Sequence, residues 1–159
     1  RMGTKMVLDV VIYPDERLET VCSPVVGITE EIKQLSRDMT ETMYAHAGIG
    51  LAANQVGQML RMLIVDISDE RNSPLTLINP QIVSATGKIS ITEGCLSFPD
   101  QEVEVVRSSE VLVEALSIDE MPVRIKAQGL AAIVLQHEMD HLDGITMEGR
   151  AAMQKTNDD

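Results

Sequence analysis

Gln136-His137-Glu138-Met139-Asp140-His141, preceded by the apolar run Leu130-Ala131-Ala132-Ile133-Val134-Leu135, is the stretch on which the reading of this chain turns. On a helix, His137 and His141 fall one turn apart on the same face, so both imidazoles can reach one metal ion. Glu138 stands beside the first of them, where it can accept a proton from a water on that ion. The apolar run is hydrophobic almost all round, which predicts a helix buried in the concave face of a sheet. A buried helix holds ligand geometry well. The pattern is that of a metal-dependent hydrolase.

A catalytic metal site needs three protein ligands and one open position. In one group of zinc proteases the third ligand is a downstream His, at the place held here by Met147. In another it is a Glu on a further helix. Glu148 is the only Glu after His141, and it lies too close, just past the helix that Gly144 closes. The third ligand must therefore come from upstream. Cys95, in Glu93-Gly94-Cys95-Leu96-Ser97-Phe98-Pro99, is the best candidate. Its thiolate binds Zn²⁺ or Fe²⁺ strongly. Gly94 lets the backbone come close to a metal or ligand, and Pro99 is expected to end strand pairing. A free Cys is ordinarily a small buried hydrophobe, but with no downstream ligand the metal role is the stronger reading.

Three segments resemble the peptide deformylase family. Gly48-Ile49-Gly50-Leu51-Ala52-Ala53-Asn54-Gln55 is similar to its first motif, Glu93-Gly94-Cys95-Leu96-Ser97 to its second and Gln136-His137-Glu138-Met139-Asp140-His141 to its third. They occur in the family's order and at about its spacing. The likeness also takes in residues 10–18 (VVIYPDERL) and extends to about Met147. Peptide deformylases remove the formyl group from the N-terminal formylmethionine of new proteins.

The resemblance implies roles. Cys95, His137 and His141 would bind one metal per chain, with Glu138 as general base and acid. Gln55 and the backbone N–H of Leu96 would stabilise the oxyanion, and the backbone of Gly50 would hold the formyl end. Ile49, Leu130, Ile133 and Val134 would form the methionine pocket beside Gly94, and Arg107 would pair with Glu93 and brace the metal loop. The metal would be Fe²⁺, with Zn²⁺ or Ni²⁺ as substitutes, since the ligand set accepts them all. The chemistry agrees. Hydrolysis of a formamide needs an activated water, a stabilised oxyanion and a proton for the leaving amine.

The chain also departs from the family. Asn54 stands where many members have Pro. Asp100-Gln101-Glu102 stands where many have a basic residue that touches the substrate backbone. Many bacterial members end in a long basic helix that can touch the ribosome. Here residues 148–159 read as a short tail with an acidic end, so ribosome contact by that route is not expected.

With 159 residues, one domain spanning 1–159 is expected, with residues 1–5 as an added leader before a native start at Met6. Cys22 and Cys95 show no disulfide framework, which points to a reducing compartment, and Cys22 reads as structural. The net charge of -12 argues against nucleic-acid binding. No signal peptide or transmembrane span is evident. A cytoplasmic protein is expected, of bacterial type, with an organelle or a phage as further sources. Its partner would be the formyl-Met end of nascent polypeptides, not a membrane.

Thr29 reads as the N-cap of a helix carrying Ile32, Leu35, Met39 and Met43 and ending at Gly48, with His46 as a helix-end or surface residue. Strands are expected over 61–67, over 75–84 with a break near Asn79-Pro80, and over 89–93, 103–106, 110–116 and 123–127. Gly129 opens the last long helix. Clustered strands with a helix on each side predict an α+β fold, with antiparallel sheets packed around the buried metal helix and a helix at the N-terminal side. Two rival readings stay open: a small metallopeptidase, and a metal- or peptide-binding module that kept the fold without catalysis.

Overall fold

Helix α1 spans Glu30–Ala45, opened by Thr29, whose hydroxyl accepts from the N–H of Ile32. Ile32, Met39 and Met43 fall on one stripe and are buried. The computed structural model describes residues 6–157. The expected leader, residues 1–5, lies outside them.

Seven strands follow: β1 (Gly50–Ala52), β2 (Met62–Val65), β3 (Leu75–Thr86), β4 (Ile89–Cys95), β5 (Phe98–Arg107), β6 (Glu110–Leu116) and β7 (Pro122–Gln128). All pair antiparallel, in a five-stranded sheet of order β1-β2-β3-β6-β7 and a two-stranded sheet of β4 and β5. Helix α2 spans Leu130–Leu142 and α3 spans Met147–Asn157.

The larger sheet is covered on both faces around β2. Successive side chains of a strand point to opposite faces. Leu63 and Val65 accordingly pack with Ala132, Leu135 and Met139 of α2, while Met62 and Ile64 pack with Met39 and Met43 of α1. This explains why β2 reads as an unbroken apolar run. A third apolar cluster joins Phe98 and Val105 of β5 to Met147 and Ala151 of α3.

Four expectations change. Asn79-Pro80 does not break β3: the strand runs through, with a register shift between Ile78 and Gln81 and a left-handed Asn79 at φ 52°. A bulge absorbs the missing proline donor. Pro99 does not end pairing but lies second in β5, since a strand's first residues tolerate proline. The expected tail is a helix as far as Asn157, because Met147 and Ala151 bury an apolar stripe on β5. Leu130 is 51% exposed, so the burial expected of the apolar run fails at the first residue of α2, although Ala132 and Ile133 in the same turn are buried.

The end of α2 is pinned. Gly144 has φ 72°, and a Cβ there would lie 2.7 Å from the carbonyl oxygen of Glu19, so both backbone shape and space require glycine. Cys22, buried as expected, donates its N–H to the carbonyl of Leu142 at 2.9 Å.

Candidate metal centre

The two histidines of α2 and the cysteine that ends β4 converge. His137 Nε2 and His141 Nε2 stand 3.3 Å apart, Cys95 Sγ lies 3.4 Å from His141 Nε2, and the three donor atoms lie within 4.8 Å of one another. Around a tetrahedral ion with bonds of about 2.05 Å to nitrogen and 2.3 Å to sulfur, donors sit about 3.3 Å (N–N) and about 3.6 Å (N–S) apart. The His137–His141 and Cys95–His141 spacings therefore fit a divalent metal, and the donor set fits one in chemistry.

Glu93 sets the tautomer of His137. Its Oε1 lies 2.8 Å from His137 Nδ1, and Arg107 grips the same carboxylate with two bonds of 2.8 and 2.9 Å. Burial opposes ionisation of Glu93, but the hydrogen bonds from Arg107 and His137 outweigh it and bring the carboxyl down to about 2. An ionised Glu93 only accepts, so Nδ1 carries hydrogen and Nε2 is turned to the site.

The electrostatics favour positive charge at that point. Burial alone would lower His137, but the charge of Glu138 and the acceptors Cys95 and Glu93 push it up to about 10. The same surroundings favour a cation beside Nε2. His141 is held well below its ordinary value, by burial first and then by His137 and Arg107. Glu138 is raised to about 7, chiefly by burial, with His137 and Arg107 opposing and Glu93 adding. Its Oε1 is buried without a hydrogen-bond partner. Such an acceptor costs free energy unless something approaches it.

A cavity of about 460 Å³ opens beside these groups. Its walls include Ile49, Gly50, Gln55, Gly94, Cys95 and Leu96, and on α2 Leu130, Ile133, Val134, His137 and Glu138. His141 lies behind this wall, 1% exposed. These eleven residues and His141 thus meet around one centre. A Cβ on Gly94 would meet nothing within 4 Å, so the close backbone approach expected there is not made to other protein atoms. His46 caps the end of α1 and is exposed.

The orientation of the Gln55 side chain follows from its neighbours. Its Oε1 accepts from the N–H of Ala52 at 2.9 Å, which turns Nε2 toward Cys95 Sγ (3.4 Å) and Ser97 Oγ (3.2 Å).

The sequence reading missed several contributors. Asn54, given no role, is fully buried and donates Nδ2 to the carbonyl of His141 at 2.8 Å, tying the end of α2 to the loop that carries Gln55. Gln136 clamps α2 to Ser108, accepting from its N–H at 2.9 Å and donating to its carbonyl at 2.8 Å. Ile91 and Thr92 also line the cavity. Gln136 and Asn54 both fall inside the quoted motifs, and that was their only signal.

A sequence model of the family described as Polypeptide deformylase matches residues 7–157. The chain belongs to the peptide deformylase family. A peptide deformylase of Aquifex aeolicus (strain VF5) is 49% identical over 148 residues, covering 91% of this chain and 88% of that relative. The peptide deformylase of Ehrlichia chaffeensis, solved in complex with actinonin, has a TM-score of 0.88 and 37% identity, over 96% of this chain and 92% of that one. A probable peptide deformylase from synechococcus phage S-SSM7 has a TM-score of 0.85 and 37% identity, over 90% of this chain and 99% of that one. Peptide deformylases are metal-dependent hydrolases that remove the N-formyl group from nascent proteins, and this chain is an enzyme of that class. Among the described residues no helix is long and apolar enough to cross a membrane.

Proposed function

We propose that Cys95, His137 and His141 hold one Fe²⁺ ion, and that the groups around it divide the work of deformylation. The observation that carries this reading is the meeting of three donor atoms within 4.8 Å of one another, beside a buried carboxylate with a free oxygen. A bound divalent ion supplies a water of pKa about 7 instead of 15.7 and polarises the formyl carbonyl.

Glu138 takes the proton of the attacking water and returns it to the leaving amine. Burial raises its affinity for protons, which helps it return the proton to the amine. Gln55 Nε2 and the N–H of Leu96 donate to the carbonyl oxygen as negative charge builds, and the backbone of Gly50 holds the formyl end. The methionine side chain enters between Ile49, Leu130, Ile133 and Val134, with Gly94 leaving room for the backbone. Arg107 fixes Glu93, and Glu93 keeps His137 in the tautomer that offers Nε2.

Zn²⁺ or Ni²⁺ would occupy the same donors. We read residues 1–159 as one domain. A thiolate ligand and a second unpaired cysteine, Cys22, suit a reducing cytoplasm. The partner is the formyl-Met end of a nascent chain.

The test is formate release from formyl-Met-Ala-Ser by anaerobically prepared, Fe²⁺-loaded protein, with Glu138→Ala alongside. Turnover is expected in the parent and not in the variant, while both hold one metal per chain. An active Glu138→Ala would remove Glu138 as the base. Binding of the peptide without turnover in the loaded parent would remove the catalytic reading.

A further inference from the structure

Asp140 lies between the two histidines in sequence, yet its carboxylate goes to two arginines. Arg107 Nη1 donates to its Oδ2 at 2.5 Å. Arg150, from α3, grips it with both ends of its fork, Nε to Oδ2 at 3.1 Å and Nη2 to Oδ1 at 2.8 Å. Beyond Arg107 come the two bonds to Glu93, and beyond Glu93 the bond to His137 Nδ1. Opposite charges alternate from α3 to a histidine facing the metal centre. Side-chain exposure falls from 32% at Arg150 through 13% at Asp140 to 3% at Arg107, and Glu93 beyond it is 5% exposed.

We propose that Arg150 is a positioning residue for deformylation, which orients His137 through Asp140, Arg107 and Glu93. The inference rests on the reading of His137 as a metal ligand. A bidentate arginine fixes the plane of a carboxylate, which a single bond does not. With Arg150 in place, Asp140 must present Oδ2 to Arg107. Arg107 then has three nitrogens committed, two to Glu93 and one to Asp140, so its guanidinium cannot tilt. Glu93 Oε1 is shared by Arg107 and His137. Any tilt of the guanidinium therefore passes to the imidazole.

The plainer role for Arg150 is to dock α3. A separate contact tests that role. Gln154 accepts from the N–H of Val106 at 3.0 Å and donates to its carbonyl at 2.7 Å, holding α3 on β5 with no share in the ion pairs. Gln154→Ala therefore loosens α3 alone.

The experiment uses the full-length protein loaded with Co²⁺, as parent, Arg150→Ala, Arg150→Lys, Gln154→Ala, Asp140→Asn and the double variant Arg150→Ala/Asp140→Asn. The readouts are the visible Co²⁺ bands and thiolate-to-cobalt charge-transfer band, Co²⁺ affinity by chelator competition, Tm, and kcat and KM for formyl-Met-Ala-Ser. Arg150→Ala should change the visible bands, weaken Co²⁺ about tenfold, as loss of an outer partner does, and lower kcat with little change in KM. Arg150→Lys should restore part of this, since it keeps the charge but not the fork. Gln154→Ala should lower Tm and leave the spectrum and Co²⁺ affinity at parent values. In the Asp140→Asn background, Arg150→Ala should add little. Parent-like bands and affinity in Arg150→Ala, or equal changes in Gln154→Ala, would overturn the proposal and leave the ligand assignment standing. A parent without the thiolate-to-cobalt band would overturn the ligand assignment itself.

Discussion

The Nε2 atoms of His137 and His141 face one another at 3.3 Å, at the end of a cavity and against a thiol. Two nitrogen lone pairs at that distance repel unless a proton or a cation lies between them. Burial keeps His141 neutral, so the pair is stabilised by whatever positive charge it can hold.

Removing the metal should therefore lower stability as well as activity. A ligand that binds only the folded state adds about 2.7 kcal/mol at a hundred times its Kd. Thermal unfolding in chelator should show a lower Tm that Fe²⁺, Zn²⁺ or Ni²⁺ restores. Cys95→Ala should have a chelator-insensitive Tm. An unchanged Tm in the parent after confirmed metal loss would contradict this.

Gly50→Ala should damage catalysis far more than folding. A Cβ at this position would lie 2.7 Å from Glu138 Oε2, 2.9 Å from its Cγ and 3.0 Å from Val134 Cγ1. The neighbours are side chains, so Glu138 moves rather than the backbone. A misplaced catalytic group commonly costs on the order of 10²-fold in rate. We expect kcat to fall on that scale, with far-UV circular dichroism unchanged. Parent-like kcat would mean that Glu138 has slack that its packing does not suggest.

Asn54→Ala should loosen the end of α2. It removes the donor to the carbonyl of His141 and a weaker bond, 3.3 Å, to the carbonyl of Arg17. Each carbonyl keeps a backbone donor, Gly144 N–H to His141 at 3.0 Å and Thr20 N–H to Arg17 at 3.4 Å, so the cost is that of a net hydrogen bond, about 0.5–1.5 kcal/mol. Urea unfolding should show a lower midpoint at an unchanged slope. A midpoint equal to the parent's would show that the backbone donors of Gly144 and Thr20 suffice for these carbonyls.

Tyr44 should make stability fall on the alkaline side. Its hydroxyl donates to the fully buried Asp66. Burial and that acceptor push the phenol from 10.0 up to about 12. The folded form therefore binds more protons than the unfolded one between those values. The contribution is complete below pH 10 and is lost as pH rises through 12. Tyr44→Phe should be less stable than the parent at pH 8, with the difference shrinking above pH 10. A pH-independent difference would place the effect in packing rather than in the proton.

The positions that escaped the sequence reading share a cause. β5 begins at Phe98, because the β4–β5 hairpin turns tightly enough to pair Cys95 with Phe98. Nothing in the run Phe98-Pro99-Asp100-Gln101-Glu102 alternates in hydrophobicity. Residues 148–157 looked like a tail because Met147 and Ala151 form a stripe too thin to see without the surface they cover. Asp140 carried no role because its two arginines lie 33 and 10 residues away.

The amino-acid sequence by itself determined what is local. His137 and His141 share a helical face because they are one turn apart, Glu138 follows from its place between them, and the Thr29 cap and the apolar run of β2 announce their elements. The three motifs were enough to set the family and its reaction. Only the tertiary structure decided how distant residues meet. Cys95 reaches His141 across 46 positions because Glu93 and Arg107 fasten the β4–β5 hairpin to α2 by side-chain bonds to His137 and Asp140. Asn54 reaches the end of the same helix across 87, and Arg150 reaches Asp140 because α3 folds back on β5. Such contacts depend on how buried surfaces fit together, and that information is spread over the whole core rather than held in any short pattern.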